Sequence, residues 1–211
     1  MADSGTSLDE QVRTADPDRW LSSRFVADPL ARADLIALYA FEAELLAIPT
    51  RVTQPLLAEM RYVWWREQMD GVFAGAPRKG HPVLEALTEV AARHGLERAP
   101  FDALIEAHIG RVHGEAHDLD AFYVGPMQVA ARILGAADPA PAAPAGRVWG
   151  LVQTGRFDEA RAALPDAARA AHGLPVQAFP AVLPATLARR PAAGPLDRRL
   201  RLLWATVRGR L

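Results

Sequence analysis

His113 and His117 stand four residues apart, with Glu115, Asp118 and Asp120 around them. On a continuous helix that spacing puts both imidazoles on one face, where they could grip a divalent metal. The order is not that of a zinc hydrolase, because the glutamate falls at the wrong step and no third ligand is specified. The competing reading is a polar, solvated helix end that enters a loop. A second group is Met60-Arg61-Tyr62-Val63-Trp64-Trp65-Arg66-Glu67-Gln68. Paired indoles beside two guanidiniums can form a pocket wall whose arginines hold a diphosphate or a carboxylate. Equally, the tryptophans can pack in a core while Arg61 and Arg66 pair with Glu44 or Glu59. A third group runs from Leu196 to Arg208, where apolar residues and arginines segregate onto opposite faces of a helix. Such a helix can lie on an anionic membrane surface, dock on a partner, or close a bundle with its arginines in water.

The sequence holds no complete catalytic set for a nameable reaction. It has no GxSxG elbow, no glycine-rich nucleotide loop and no plausible Ser-His-Asp trio. Lys79 is the only lysine, and it sits in Ala76-Pro77-Arg78-Lys79-Gly80, which lacks the glycine spacing of a phosphate loop. The absence of cysteine excludes disulfides, thiolate metal sites and cysteine nucleophiles. A formal net charge of −1 supplies no field to gather nucleic acid, so none is expected as a partner.

The elements that would carry these groups are helices throughout. With 211 residues, half of them hydrophobic, the chain can form one large domain. Met1 to Asp16 is polar and acidic. It reads as a disordered lead-in, without the pattern of a signal or transit peptide. Asp16 or Asp18, with Pro17, opens a short helix through Phe25. Asp28-Pro29 opens the next, whose apolar residues from Leu30 to Leu46 recur at three- and four-residue steps around most of its girth, as in a central bundle helix. Pro49 should end or kink it. Further helices are expected from Thr53 to Gly75, from Gly80 to His94, from Pro100 to about His117, and from Pro126 to Leu134. Asp138 to Gly146 reads as an extended Pro/Ala linker. Shorter helices follow near 147–152, 157–171, 176–189 and 196–208. No segment has the ~18 apolar residues needed to cross a bilayer, and the expected location is the cytosol.

Four segments, in this order, resemble the squalene/phytoene synthase family of head-to-head prenyl synthases. They are Arg19-Trp20-Leu21-Ser22-Ser23-Arg24-Phe25, Ala37-Leu38-Tyr39-Ala40-Phe41-Glu42-Ala43-Glu44-Leu45, Glu59 through Glu67, and His81-Pro82-Val83 followed by Leu104-Ile105-Glu106. The pattern covers about residues 17–135 and returns weakly at Ala145 to Leu151. The resemblance implies an all-α bundle of the isoprenoid-synthase type, shortened in its C-terminal third. Family members hold Mg²⁺ with two aspartate-rich motifs and so neutralise departing diphosphates. The first motif should fall where this chain has Leu46, Ala47 and Thr50. The second should fall beyond Leu151, where Gly155 breaks the helix before Asp158-Glu159.

The chain is therefore read as a degenerate member, similar to a branch that lost its aspartates and includes a respiratory complex I assembly factor. What this implies is a non-catalytic lipid-binding or assembly protein. It would have no resident cofactor, and its partner would be a prenyl lipid or a membrane-associated protein complex. Its C-terminal segment Leu196–Arg208 would touch the inner face of a membrane. The alternative is an active prenyl diphosphate transferase with a non-standard Mg²⁺ site. Pocket residues expected from the resemblance and the motifs are Arg24, Tyr39, Glu44, Arg61, Trp65 and Arg66. Glu44 and Arg61 would face each other across a cleft, and Arg24 would be the remaining diphosphate contact.

Overall fold

The computed structural model describes residues 7–190 and 194–211. Eleven α-helices and no strand occur among them, joined by short 3₁₀ and π-helical turns. The fold class is all-α, as expected.

Helix α3 (Pro29–Arg51) is the axis. Its run from Asp34 to Ala43 is buried on every side, which is why its apolar pattern does not concentrate on one face. Asp28 caps it, accepting from the Leu30 amide at 2.9 Å. Pro49 does not end the helix, which continues to Arg51. A proline there leaves the carbonyl four residues earlier without its helical donor. That carbonyl is Leu45, and the buried Tyr62 hydroxyl donates to it at 3.2 Å. The donor comes from α4 (Pro55–Phe73), so one bond satisfies the proline gap and fixes the α3–α4 register.

Helices α5 (Pro82–His94) and α6 (Ala99–Val112) pack on α3 and α4. Asp34 of α3, buried, accepts from His94 Nε2 at 2.7 Å and pairs with Arg93. A π-helical turn (Asp120–Val124) runs directly into α7 (Gly125–Ile133). Helix α8 (Ala143–Gln153) crosses that turn closely through Gly146 and Gly150. A Cβ on Gly146 would stand 2.8 Å from the Val124 Cα, and one on Gly150 would stand 2.5 Å from the Tyr123 ring. Only glycine lets the two segments approach this far.

Two expectations need correcting. The lead-in is a helix, α1 (Leu8–Ala15), capped by Ser7, whose Val12 is fully buried and packs with α3. Residues 1–6 of the expected disordered segment lie outside the described residues. The segment read as an extended linker at 136–146 forms a 3₁₀ turn (Ala140–Ala142) and the first turn of α8. Pro144 occupies the N-terminal turn of α8, where its missing N–H removes no helical bond. Ala142 and Ala145 are fully buried, so this stretch belongs to the core. The core is one continuous cluster that includes α9 (Phe157–Ala171), α10 (Phe179–Val182), the 3₁₀ segment Leu183–Arg189 and α11 (Pro195–Arg208).

Candidate functional site

A cavity of about 380 Å³ opens between the start of α2 (Pro17–Ser23), one face of α3, α6, the π-helical turn and α8. The α3 face is set by Glu42 and Leu46, four residues apart. This is the stripe on which the family's first aspartate motif would stand, continuing to Thr50.

The polar wall is built from ion pairs within the chain. Asp16 caps α2, accepting from the Arg19 amide at 2.9 Å and from Arg19 Nε at 2.6 Å. The same guanidinium donates through Nη1 to Glu42 Oε2 at 2.7 Å and lies 4.6 Å from the centre of the Tyr39 ring. Arg19 is 9% exposed and Glu42 4%. Burial alone would lower the Arg19 pKa; the charges of Glu42 and Asp16 outweigh it and hold the guanidinium firmly protonated. Burial pushes the Glu42 carboxyl up against the pull of Arg19, and Asp16 adds to the push. Glu42 Oε1 and the Tyr39 hydroxyl are buried without a hydrogen-bond partner among the described residues.

At the mouth, Asp18 pairs with Arg198 of α11. Burial raises the Asp18 pKa to about 6, Arg198 opposing the shift and Asp16 adding to it. Deeper in the wall, the His108 ring stacks on Tyr62 with centroids 5.0 Å apart and meets Phe122 edge-on at 4.7 Å. Burial, helped by His117, lowers the His108 pKa to about 4, so this imidazole is neutral at neutral pH. His117 stacks on Phe122 and lies 3.3 Å from the Tyr123 hydroxyl. Leu46, Leu104, Phe122 and Trp149 supply the apolar surface.

The residues expected to form one pocket are divided. Glu44, Arg61 and Trp65 line a different cleft, of about 540 Å³, on the opposite side of α3, with Trp64, His81 and Arg51. Glu44 does not pair with Arg61 there. It accepts from Gln11 Nε2 at 2.6 Å and pairs with Arg51 at 3.3 Å. Tyr39 lies beneath Arg19, away from that cleft. Arg66 points along the outside of α4 to Glu106 of α6, at 3.3 Å. Arg24 stacks on Trp20, with its guanidinium 4.7 Å from the ring centre, and pairs with Asp9 of α1 at 2.6 Å, so it reaches neither opening. The histidine pair does not share a helix face, because α6 stops at Val112 and Gly114 turns the chain with φ +84°. His113 pairs with Glu59 at 3.2 Å instead.

Mg²⁺ does not fit this donor set. Thr50 is exposed and its hydroxyl donates to the Ala47 carbonyl, while Leu46 and Ala47 offer no donor. Asp158 and Glu159 lie beyond the end of α8 and pair with Arg161 and Arg156 on the surface. The carboxylates that do reach the cavity are engaged by Arg19 and Arg198. Among the described residues, no three His, Asp or Glu side chains are placed to share one metal ion.

A helical bundle around a buried axial helix, with a cavity beside it, is consistent with the isoprenoid-synthase type of fold. The model of the squalene/phytoene synthase family matches residues 12–124, more than half of the chain, and the chain belongs to that family. No curated protein matches it, and no solved structure does.

Sequence reasoning missed Asp16, Asp18, Arg19, Glu42 and Arg198 as a cavity group. The available signal was helical phase. Glu42, and not Glu44, lies four residues before Leu46, on the stripe where the aspartates should have been.

Proposed function

We propose that this protein is a non-catalytic member of the squalene/phytoene synthase family that binds a prenyl or other lipid chain, or acts in assembly of a membrane-associated complex. The supporting observation is the occupation of the cavity by internal ion pairs. Diphosphate departure separates several charges, and clustered divalent ions normally stabilise them. Here a fixed guanidinium, Arg19, bridges Asp16 and Glu42 instead. Arg19 already has carboxylate partners, so little of its positive field remains for a diphosphate. Leu46, Leu104, Phe122 and Trp149 give the cavity an apolar lining, of the kind a hydrocarbon chain requires. No helix among the described residues is long and apolar enough to cross a membrane. The proposed setting is the cytosol with peripheral access to the membrane.

The test is incubation of the purified protein with labelled farnesyl or geranylgeranyl diphosphate and Mg²⁺. The expected outcome is retention of the lipid without turnover. Release of diphosphate with formation of a C30 or C40 hydrocarbon would overturn the proposal and restore an active transferase.

A further inference from the structure

Helix α11 carries its large apolar side chains on the outside. Leu202 and Ala205 face the core, and Arg198 reaches inward to Asp18. Leu196, Leu200, Leu203, Trp204 and Val207 are all exposed, Leu196 at 74% and Val207 at 72%. At the helical step these five fall within an arc of roughly 100°, centred about 180° from the buried residues. Arg199 borders one side of the arc, and Asp197, Arg208 and Arg201 border the other, with Arg201 paired to Asp197 at 2.8 Å. The expectation that apolar residues and arginines take opposite faces is thus corrected. The core side is narrow, the outward side is apolar, and arginines stand on both flanks, one of them beside Asp197.

Beside the helix lies a groove of about 930 Å³. Arg189, Arg201, Arg208 and Arg210 contribute guanidiniums to it; Arg201 pairs with Asp197 at 2.8 Å and Arg189 donates to the Leu211 carbonyl at 2.9 Å, which leaves Arg208 and Arg210 for an outside anion, and Leu200 and Trp204 form an apolar wall. The Arg208 guanidinium lies 4.6 Å from the centre of the Trp204 ring.

We infer that α11 lies in the plane of an anionic membrane surface, with the Leu196–Val207 stripe in the acyl region and the flanking arginines and groove on lipid phosphates. Three features select this occupant. The stripe is straight, continuous and directed away from the fold, as an in-plane helix requires. Arginines stand at headgroup height on both flanks, with stems that run along the apolar surface and heads that reach phosphate. A second copy of the same face would instead press arginine rows against arginine rows. The inference stands independently of what the cavity holds.

The test is flotation of the full chain with vesicles of phosphatidylcholine alone, and with about 30% phosphatidylglycerol added. The protein should float with the anionic vesicles, remain behind with the neutral ones, and be released by salt. Leu203→Ser with Val207→Ser should weaken partition more than tenfold. Arg199→Gln with Arg208→Gln should weaken it about fivefold per arginine. These four side chains are exposed, so the thermal midpoint should not move, and that separates lost docking from lost fold. Failure to float with anionic vesicles, equal flotation with neutral ones, or unchanged flotation of both variants would overturn the inference. So would a dimer in sedimentation velocity that the Leu203→Ser/Val207→Ser variant dissociates, because the face would then be occupied by a second copy.

Discussion

Replacement of Arg19 by methionine tests the central claim about the cavity, that its carboxylates depend on a cation supplied by the chain. Methionine keeps much of the side-chain volume and removes the charge. Glu42 would then be left at 4% exposure with neither oxygen paired, and Asp16 would keep its cap to the backbone amide alone. Breaking a buried pair from one side costs about 3–5 kcal/mol. At ~2–4 °C per kcal/mol for a domain of this size, the thermal midpoint at pH 7 should fall by roughly 10 °C. The loss should depend on pH with a definite sign. Burial already holds the Glu42 pKa above its ordinary value, and loss of Arg19 raises it further. A raised carboxyl pKa gives stability that is present below the unfolded value and lost as pH rises through the folded one. The variant should therefore recover toward wild type as pH falls from 7. Arg19→Met with Glu42→Leu should recover at all pH values, since an apolar pair of similar volume replaces the ions. Thermal melts followed by circular dichroism over pH 5–8 measure all three proteins. If Arg19→Met melts within about 2 °C of wild type at pH 7, the buried pair does not carry the cavity wall and the reasoning fails.

Asp18→Asn addresses the mouth. With its pKa raised to about 6 from 3.8, Asp18 favours the folded state below pH 4, and that contribution disappears as pH rises through 6. The full shift corresponds to about 3 kcal/mol, and solvent at the cavity edge reduces it to ~1–2 kcal/mol. Denaturant melts should show wild type losing that much relative to Asp18→Asn between pH 4 and pH 7. His108 slopes the other way in both proteins, because its depressed pKa favours the folded state at higher pH, so only the difference is read. Tyr62→Phe should cost about 1–2 kcal/mol in the same assay, since the Leu45 carbonyl opposite Pro49 would lose its buried donor. A cost near zero would mean that the proline gap needs no partner.

The axial and second long helices were legible because their apolar residues repeat at helical steps over many turns, and the motif residues lie on them. Helix α1 was not, because Leu8 and Val12 are its only large apolar residues and the others are polar. Its burial comes from α3, through a contact that local periodicity does not encode. The 138–146 stretch misled because prolines suggest extension, while Pro144 happens to occupy the helix turn that tolerates it. The site was half legible. Tyr39, Arg19 and Glu42 all lie in the segments that carry the family resemblance, yet Glu44 was taken in place of Glu42. Two residues along a helix amount to roughly 200° of rotation, which moved the expected pocket to the far side of α3. The Arg198 partner of Asp18 lies 180 residues away in sequence, and charge alone could not have picked it from the other arginines.

That separation also sets an order of events. At about 5–20 residues per second, roughly 10–40 seconds pass on the ribosome between the synthesis of Asp18 and that of Arg198. Helices α2 to α8 can bury α3 within that interval, while the mouth of the cavity still lacks its clasp. Closure of so long a loop comes after the shorter contacts have formed. A nascent bundle of these helices would therefore stand without the Asp18–Arg198 pair at its rim until α11 has been made.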